Sequence, residues 1–251
     1  MSGHSKWSTI KRKKGAADAK RSKMFSKLAK EITIAAKEGG SGDPEMNPRL
    51  RTAIANAKGV NMPKDVIQRA INKATSGTEN YSEVTFEGTG PGGMAVFVEC
   101  LTDNNQRTVS SVRSIFRKRG GELGKNGSLS YLFDRKGIFN IVTENLNMDI
   151  EELELELIDA GMEDMEEEDG RLIVTTAMED FGNMQKKLEE LGIEAESAEL
   201  QRIPNARREL DVETAQKALK LIEALEDDDD VQNVYHDLEM TEDLEKALQE
   251  G

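Results

Sequence analysis

The sequence contains very few of the residues from which disulfides, metal sites and hydrolytic triads are built. Its 251 residues include one cysteine, Cys100, and two histidines, His4 and His236. A single cysteine cannot form an internal disulfide, which favours a reducing compartment. The motifs His-Glu-x-x-His, Cys-x-x-Cys and Gly-x-Ser-x-Gly are absent. We therefore expect no catalytic residues, no metal site and no cofactor, and the sequence predicts a protein that is not an enzyme.

Long apolar runs are missing as well. No stretch approaches the ~18 consecutive apolar residues that a membrane span needs, and the first residues lack the apolar core of a secretory signal. Hydrophobic residues make up 37% and charged residues 33% of the chain, a balance typical of soluble globular proteins. We expect a cytoplasmic monomer of two or three domains, with no membrane contact and no small-molecule substrate.

Charge is abundant but unevenly distributed. The net charge is −14, yet residues 1–80 carry +10, residues 81–133 carry +1 and residues 134–251 carry −25. The sequence pI of about 4.8 is therefore an average over opposed ends, and only local charge predicts local partners. The acidic runs "MEDMEEEDG" and "EDDDD" are typical of solvated faces, and the second lacks the glycine and glutamate of a calcium-binding loop.

Residues 1–79 are predicted to form a basic domain of three helices. From Ala16 to Lys37 apolar residues recur at three- and four-residue spacing, and Gly39-Gly40 ends this helix. Asn47-Pro48 and Pro63 open the second and third helices. At about 100° per residue, one face of the first helix collects lysines. They are Lys20, Lys23, Lys27, Lys30 and Lys37.

Residues 80–134 and 205–251 are predicted to form one split α/β domain. "EVTFEG" and "MAVFVECL" are predicted strands, a helix follows from about Asn105 to Arg119, and "SLSYLF" is predicted to be another strand. Near the end of the chain, a further helix precedes a strand at Val231 to His236.

An acidic domain is predicted to be inserted into the split domain at residues 135–204. It shows the β-α-β-β-α-β order of a ferredoxin-like fold around a hairpin at Asp169-Gly170. Its helix "DIEELELELIDA" is predicted to turn Ile150, Leu153, Leu157 and Ile158 inward. The fold class is therefore α+β, with an N-terminal three-helix domain and two ferredoxin-like α/β domains, one inserted into the other.

The amino-terminal basic block is either a solvated tail or a phosphate-binding segment. Between Lys6 and Lys23 the only acid is Asp18, and the lysines continue along a helix face, which favours nucleic acid. Trp7 is equally compatible with stacking on an unpaired base and with anchoring the tail to a core.

Two glycine-containing segments are further candidates. "GTGPGG" is interpreted as a hairpin connection that needs positive φ, with amide contacts to a nucleic-acid backbone as the alternative. "RSIFRKRGGELGKNGS" gathers cations where a helix ends, either to complement the helix C-terminus or to bind phosphate. These cations are Arg113, Arg117, Lys118, Arg119 and Lys125.

A resemblance to a known family is carried by "GHSKWSTIKRKKGAADAKRSKMFSKLAKEI", "NPRLRTAIANAKGVNMPKDVIQRAI", "EGTGPGGMAVFVECLTDN" and "GGELGKNGSLSYLF". These segments resemble the YebC/PmpR family of bacteria, which also has mitochondrial translational-activator relatives. The resemblance is dense over residues 3–134 and looser beyond. It implies a helical domain plus two α/β domains, no catalytic residues, and a role in DNA-binding transcriptional regulation or, for some relatives, in relieving stalled translation. Thr89 departs from the family, because relatives often carry an aromatic there.

The resemblance and the charge pattern together give the predicted nucleic-acid-binding residues. His4 to Trp7, Lys11, Lys14, Lys23, Lys27 and Lys30 match the family's amino-terminal motif, and Asp103, Asn104 and Arg107 match its "LTDN" region. The full predicted set is His4, Ser5, Lys6, Trp7, Lys11, Lys14, Lys20, Arg21, Lys23, Lys27, Lys30, Arg107, Arg113, Arg117, Lys118 and Arg119.

Three hypotheses for function remain open. The first is a non-enzymatic, DNA-binding transcriptional regulator of gene expression. The second is a ribosome-associated translation factor that binds ribosomal RNA, and the third is a scaffold whose basic end docks on an acidic protein. Because lysine mainly positions a protein on phosphate, sequence specificity should be modest in the first two cases.

Overall fold

The computed structural model describes residues 17–77 and 80–250, except the side chains of residues 17–20, 75, 249 and 250. Its helices are α1 Ala17–Glu38, α2 Pro48–Gly59, α3 Lys64–Thr75, α4 Asn105–Lys118, α5 Ile150–Ile158, α6 Phe181–Glu190, α7 Val212–Glu226 and α8 Glu242–Glu250. Its strands are β1 Ser82–Thr89, β2 Ala95–Thr102, β3 Glu122–Leu123, β4 Phe133–Val142, β5 Met162–Glu168, β6 Arg171–Ala177, β7 Ser197–Pro204 and β8 Val231–His236. The predicted α+β class is confirmed.

Local capping signals set the starts of the helices. The Asn47 side chain accepts the backbone N–H of Leu50 at 3.1 Å, with Pro48 in the first turn of α2. Asn104 caps α4 in the same way by accepting the backbone N–H of Arg107 at 3.1 Å. Such oxygens satisfy amide groups that have no partner within the helix. The predicted starts of both helices are confirmed.

The described residues fall into two compact units. Unit 1 consists of the described parts of Met1–Lys30, Gly77–Asp134 and Ile203–Gly251, and unit 2 of Glu31–Ser76 and Arg135–Arg202. The division falls inside α1, between Lys30 and Glu31, and α2 and α3 belong to unit 2. The domain boundaries at residues 79, 134 and 204 stay predictions.

Unit 1 is built on a four-stranded sheet of order β3-β1-β2-β8. Strands β1 and β2 pair antiparallel from Ser82↔Thr102 to Thr89↔Ala95 and are joined by "GTGPGG". Gly92 and Gly93 have φ of 68° and 74°, so the interpretation of this segment as a hairpin connection with positive φ is confirmed. The main core includes Phe86, Val96, Val98, Val112, Phe116, Leu219, Ile222, Val234 and Leu244.

Unit 2 contains a sheet of order β5-β6-β4-β7. Its chain order β4-α5-β5-β6-α6-β7, combined with this strand order, is that of a ferredoxin-like fold. Asp169 and Gly170 both have positive φ, 47° and 74°, as the predicted tight hairpin requires. The core includes Phe139, Ile141, Leu153, Leu157, Leu172, Val174 and Met184.

Three local predictions were wrong. "SLSYLF" is not a strand, because Ser130–Leu132 forms a 3-10 turn and Phe133 begins β4 of the second sheet. The third strand of the first sheet is instead Glu122–Leu123, inside "RSIFRKRGGELGKNGS", a segment for which no strand is predicted. Ile158, predicted to turn inward, is 52% exposed in the last turn of the short helix α5.

The described residues also include a helix that the sequence pattern did not predict, α8, which places Leu244 in the core of unit 1. No helix in the ranges described is long and apolar enough to span a membrane.

Cys100 provides a chemical probe of unit 1. It lies in β2 and is 2% exposed; burial, together with the charges of Asp228 and Asp230, raises the pKa of its thiol to about 12. Because only the thiolate is nucleophilic, we expect the native protein to resist iodoacetamide at about pH 8 and the unfolded protein to react readily. Mass spectrometry measures the modified fraction. Native labelling as fast as that of a free cysteine would contradict this burial.

Candidate nucleic-acid interface

Part of the predicted binding set lies outside the described residues. For His4, Ser5, Lys6, Trp7, Lys11 and Lys14 the placement is not described, and for Lys20 only the backbone is. The predictions for these seven residues stay predictions. The other nine residues of the set all lie in unit 1.

Two lysines of α1 bind the end of α7. Lys23 Nζ donates to the Asp227 carbonyl and lies 3.2 Å from its Oδ1, and Lys27 Nζ donates to the Glu226 carbonyl at 3.2 Å. The last carbonyls of a helix lack partners within the helix and carry partial negative charge, to which acidic side chains here add more. The lysines supply both the missing donors and the compensating charge. Their ammonium groups are therefore already engaged within unit 1.

Asp230, which directly precedes β8, is the buried centre of a network of charged and polar side chains. Arg107 Nη2 lies 2.8 and 3.0 Å from its two carboxylate oxygens, and Lys30 Nζ lies 3.3 Å from Oδ1. The Thr108 hydroxyl donates to Oδ2 at 2.8 Å, and Asp103 forms a second ion pair with Arg107 at 2.8 Å. Asp230 is only 6% exposed. One carboxylate thus ties α1 and α4 to the start of β8.

This network changes the interpretation of the run "EDDDD". We call residues 226–230 the acidic turn. It was predicted to be a solvated face, yet Asp230 is buried and Asp228 accepts a hydrogen bond from Ser111 of α4. That prediction was wrong for these two residues, because the chain itself supplies the cations and hydroxyls that the carboxylates need.

The ionised form of Asp230 is favoured by its partners. Burial disfavours the charge, but the hydrogen bonds from Arg107 and Thr108 and the nearby charge of Lys30 outweigh it and lower the pKa of Asp230 from its ordinary value of 3.8. A lowered carboxyl pKa contributes stability that is present above the ordinary value. That stability is lost as pH falls through the folded-state value.

Arg21, near the start of α1, is exposed and lies over a ring. Its guanidinium carbon is 5.4 Å from the centre of the Phe25 ring. The side chain of Arg107 is about half exposed, yet its guanidinium group forms ion pairs with Asp103 and Asp230. The structure therefore brings Lys23, Lys27, Lys30 and Arg107 together around the acidic turn, and not on an open face.

A second group of predicted cations lies exposed on α4 and just beyond it. We define the basic patch as Arg113, Arg117, Lys118 and Arg119, all of them exposed. Arg113 and Arg117 are one turn apart, so their side chains share one face of the helix. A shallow groove joins Arg113, Arg117 and Lys118 to Ser110 and Ser114. Within the described ranges, no acidic side chain forms an ion pair with any member of the basic patch.

The segment that follows the basic patch is held by a buried carboxylate that the sequence analysis missed. Glu87 is 3% exposed, and its carboxylate accepts the backbone N–H groups of Gly127 at 2.7 Å, Leu129 at 2.5 Å and Ser130 at 3.1 Å. Its own carbonyl accepts from the Gly124 N–H at 2.7 Å. Glu87 therefore fixes the backbone of residues 124–130. Nothing in the local sequence distinguishes it from the exposed Glu83 of the same strand.

The chemistry available here suits anions. Guanidinium groups, an ammonium group and serine hydroxyls are hydrogen-bond donors that bind phosphate oxygens. No group of three or more histidine, cysteine or acidic residues in the described part of the chain is arranged to hold a metal ion.

The sequence is similar to proteins of one family along nearly its whole length. The family model described as "TACO1/YebC protein N-terminal domain" matches residues 5–77, and that described as "TACO1/YebC second and third domain" matches residues 81–238. A relative from Amoebophilus asiaticus is 54% identical, with 95% of this chain and 98% of the relative covered. One from Treponema denticola is 53% identical, with 98% and 99% covered. Both are named "Probable transcriptional regulatory protein".

A solved structure is also similar. The crystal structure of a conserved hypothetical protein from Aquifex aeolicus has 43% sequence identity and a TM-score of 0.81. The similarity covers 90% of this chain and 93% of that chain.

We expect Asp230→Asn to lower the free energy of unfolding by about 2 kcal/mol at pH 7, because Arg107 and Lys30 lose a charged acceptor. The difference from wild type should begin to shrink as pH falls below the ordinary carboxyl pKa, because the unfolded protein then takes up a proton at Asp230 that the folded protein does not yet bind. Urea unfolding at a series of pH values across this range, followed by far-UV circular dichroism, measures the difference in the free energy of unfolding. Asp229→Asn is the control, since Asp229 is exposed, and should change stability by less than about 0.5 kcal/mol. A pH-independent difference would contradict the assignment.

Proposed function

We propose that this chain, which belongs to the TACO1/YebC family, is a non-enzymatic regulator of gene expression that binds nucleic acid. The names of its relatives support a regulatory role, and we propose DNA-binding transcriptional regulation as its form. The observation that carries the nucleic-acid part is the basic patch, a set of exposed cations that pair with no acidic side chain in the described part of a chain whose net charge is −14.

Complementation of the α4 dipole does not account for the whole basic patch. Arg117 and Lys118 lie in the last turn of α4, where cations are favoured by the partial negative charge. Arg113 lies before that turn and gains little from the helix end, because the effect falls off within one turn. A shared arginine face flanked by serines is instead suited to phosphate, which arginine binds through two parallel hydrogen bonds.

The charge distribution limits where nucleic acid can bind. Residues 134–251 carry −25 and are repelled by phosphate, so binding should be confined to surfaces outside that segment. We propose that Arg113 and Arg117 contact phosphate, and phosphate contacts position a protein without reading sequence. We therefore propose affinity with modest sequence specificity.

Four other residues of the predicted set can bind nucleic acid only after they release an internal acceptor. Lys23, Lys27, Lys30 and Arg107 hold the acidic turn, so a nucleic-acid phosphate must replace these internal acceptors before it can bind them. Arg21 is exposed, and this condition does not apply to it. The predicted binding roles of seven more residues remain part of this proposal: His4, Ser5, Lys6, Trp7, Lys11, Lys14 and Lys20.

We expect Arg113→Glu/Arg117→Glu to weaken binding to a labelled duplex at least tenfold in an anisotropy titration at low salt. The magnitude of the slope of log affinity against log salt should fall by about 1.8, because each of the two lost phosphate contacts on a duplex removes about 0.9. Lys186→Glu/Lys246→Glu is the control, since it changes the net charge equally at exposed helical positions outside the basic patch. Equal binding by the two double variants would reject the basic patch.

The choice between a DNA and a ribosomal target needs a separate experiment. Cosedimentation of the protein with ribosomes is compared with its binding to random duplex DNA at the same salt concentration. Preferential DNA binding that depends on Arg113 and Arg117 supports transcriptional regulation. Cosedimentation without DNA binding would replace it with a ribosome-associated role.

A further inference from the structure

Tyr131 is the exposed aromatic residue of the described chain. It keeps 71% of its surface open, whereas every other ring whose side chain is described is buried or half-buried. Its neighbours in the sequence face the core instead. Phe133 belongs to the buried cluster that contains Phe97, and Leu129 and Leu132 pack against that cluster. The chain thus turns one ring outward between residues that face the core.

The backbone around Tyr131 is fixed on both sides. On one side, the Glu87 carboxylate accepts the N–H groups of Leu129 and Ser130. On the other, the Tyr131 carbonyl accepts from Asn205 Nδ2 at 3.1 Å, and the Leu132 carbonyl accepts from the Asn205 N–H at 2.9 Å. Burying a carboxylate is costly, and three backbone donors compensate it here. This arrangement reduces the entropy that the ring would lose on binding a ligand.

Polar side chains suited to a nucleotide lie in the segment that precedes the ring in the sequence. Lys125, Asn126 and Ser128 are all exposed in the segment that Glu87 holds. Lys125 follows Arg119 of the basic patch by six residues, so their α-carbons are at most about 20 Å apart. A strand bound at the basic patch can therefore reach this segment.

We propose that Tyr131 stacks on an unpaired base of a single-stranded nucleic acid while Lys125 contacts a neighbouring phosphate. The inference deepens the proposed function and rests on it, because it assumes that nucleic acid binds at the basic patch. An aromatic ring stacks on any base through its face, which in a duplex is already covered by the adjacent base pairs. The site therefore selects strands with unpaired bases, in DNA or in RNA, and reads little sequence.

The test measures the affinity of the full chain for a labelled single strand of about 12 nucleotides, made as DNA and as RNA, and for its duplex. Tyr131→Ala and Tyr131→Leu should each weaken single-strand binding about five- to a hundredfold and leave duplex binding unchanged. Tyr131→Phe should bind within about twofold of wild type, since it keeps the ring. Tyr131→Leu shows whether the ring or only apolar bulk matters. A loss with either the DNA or the RNA strand supports the proposal.

The two proposals fail in different ways. If Tyr131→Ala and Tyr131→Leu bind single strands as wild type does while Arg113→Glu/Arg117→Glu does not, stacking is overturned and the proposed function stands. If neither change weakens binding, both proposals are overturned. Equal losses on single strands and duplexes would also overturn stacking. Thermal unfolding checks the fold, and an unfolding temperature close to that of wild type is expected because Tyr131 is exposed.

Discussion

The ion pairing of Asp230 is the interaction on which the arrangement of unit 1 depends. This carboxylate contacts Arg107 and Thr108 in the first turns of α4, and Lys30 of α1, while its backbone carbonyl accepts the N–H of Leu101 in β2. It therefore fixes the beginning of α4 against the sheet. The buried Phe116 anchors the other end of the helix. With both ends held, the outward face that carries Arg113 and Arg117 has a defined position.

Acidic residues have two separate roles in this protein. Most are exposed and give the carboxyl-terminal half its large negative charge, which affects solubility and long-range repulsion. Three buried ones, Asp230, Glu87 and Asp237, instead organise backbone and cations around themselves. Removing a buried acceptor leaves its donors unsatisfied, so these three are expected to matter more for structure than the whole exposed acidic surface. Net charge therefore says little about where an anionic ligand binds.

The sequence predicted those features that depend on short-range rules. Asn47 and Asn104 cap helices, Asp169-Gly170 forms the tight hairpin, and the order of elements in unit 2 identifies a ferredoxin-like fold. It could not show what covers a given face. Helical periodicity places Lys23, Lys27 and Lys30 on one side of α1, but only the folded chain shows that the acidic turn lies there. "SLSYLF" fails for a related reason, because Glu87, forty residues earlier, captures backbone groups that a strand would have used.

Salt distinguishes the two kinds of charged contact in unit 1. The basic patch is exposed, so its attraction to phosphate is screened over a Debye length of about 8 Å at physiological salt. Because binding also releases counterions from the nucleic acid, the affinity falls further as the salt concentration rises. Asp230 is buried and hydrogen-bonded to Arg107, and salt screens such a pair much less. If nucleic acid binds the basic patch as proposed, raising the salt concentration should release it while α4 stays in place. Both contacts join cations to anions, but the contact fully open to solvent responds far more strongly to ionic strength, and that property suits it to reversible binding.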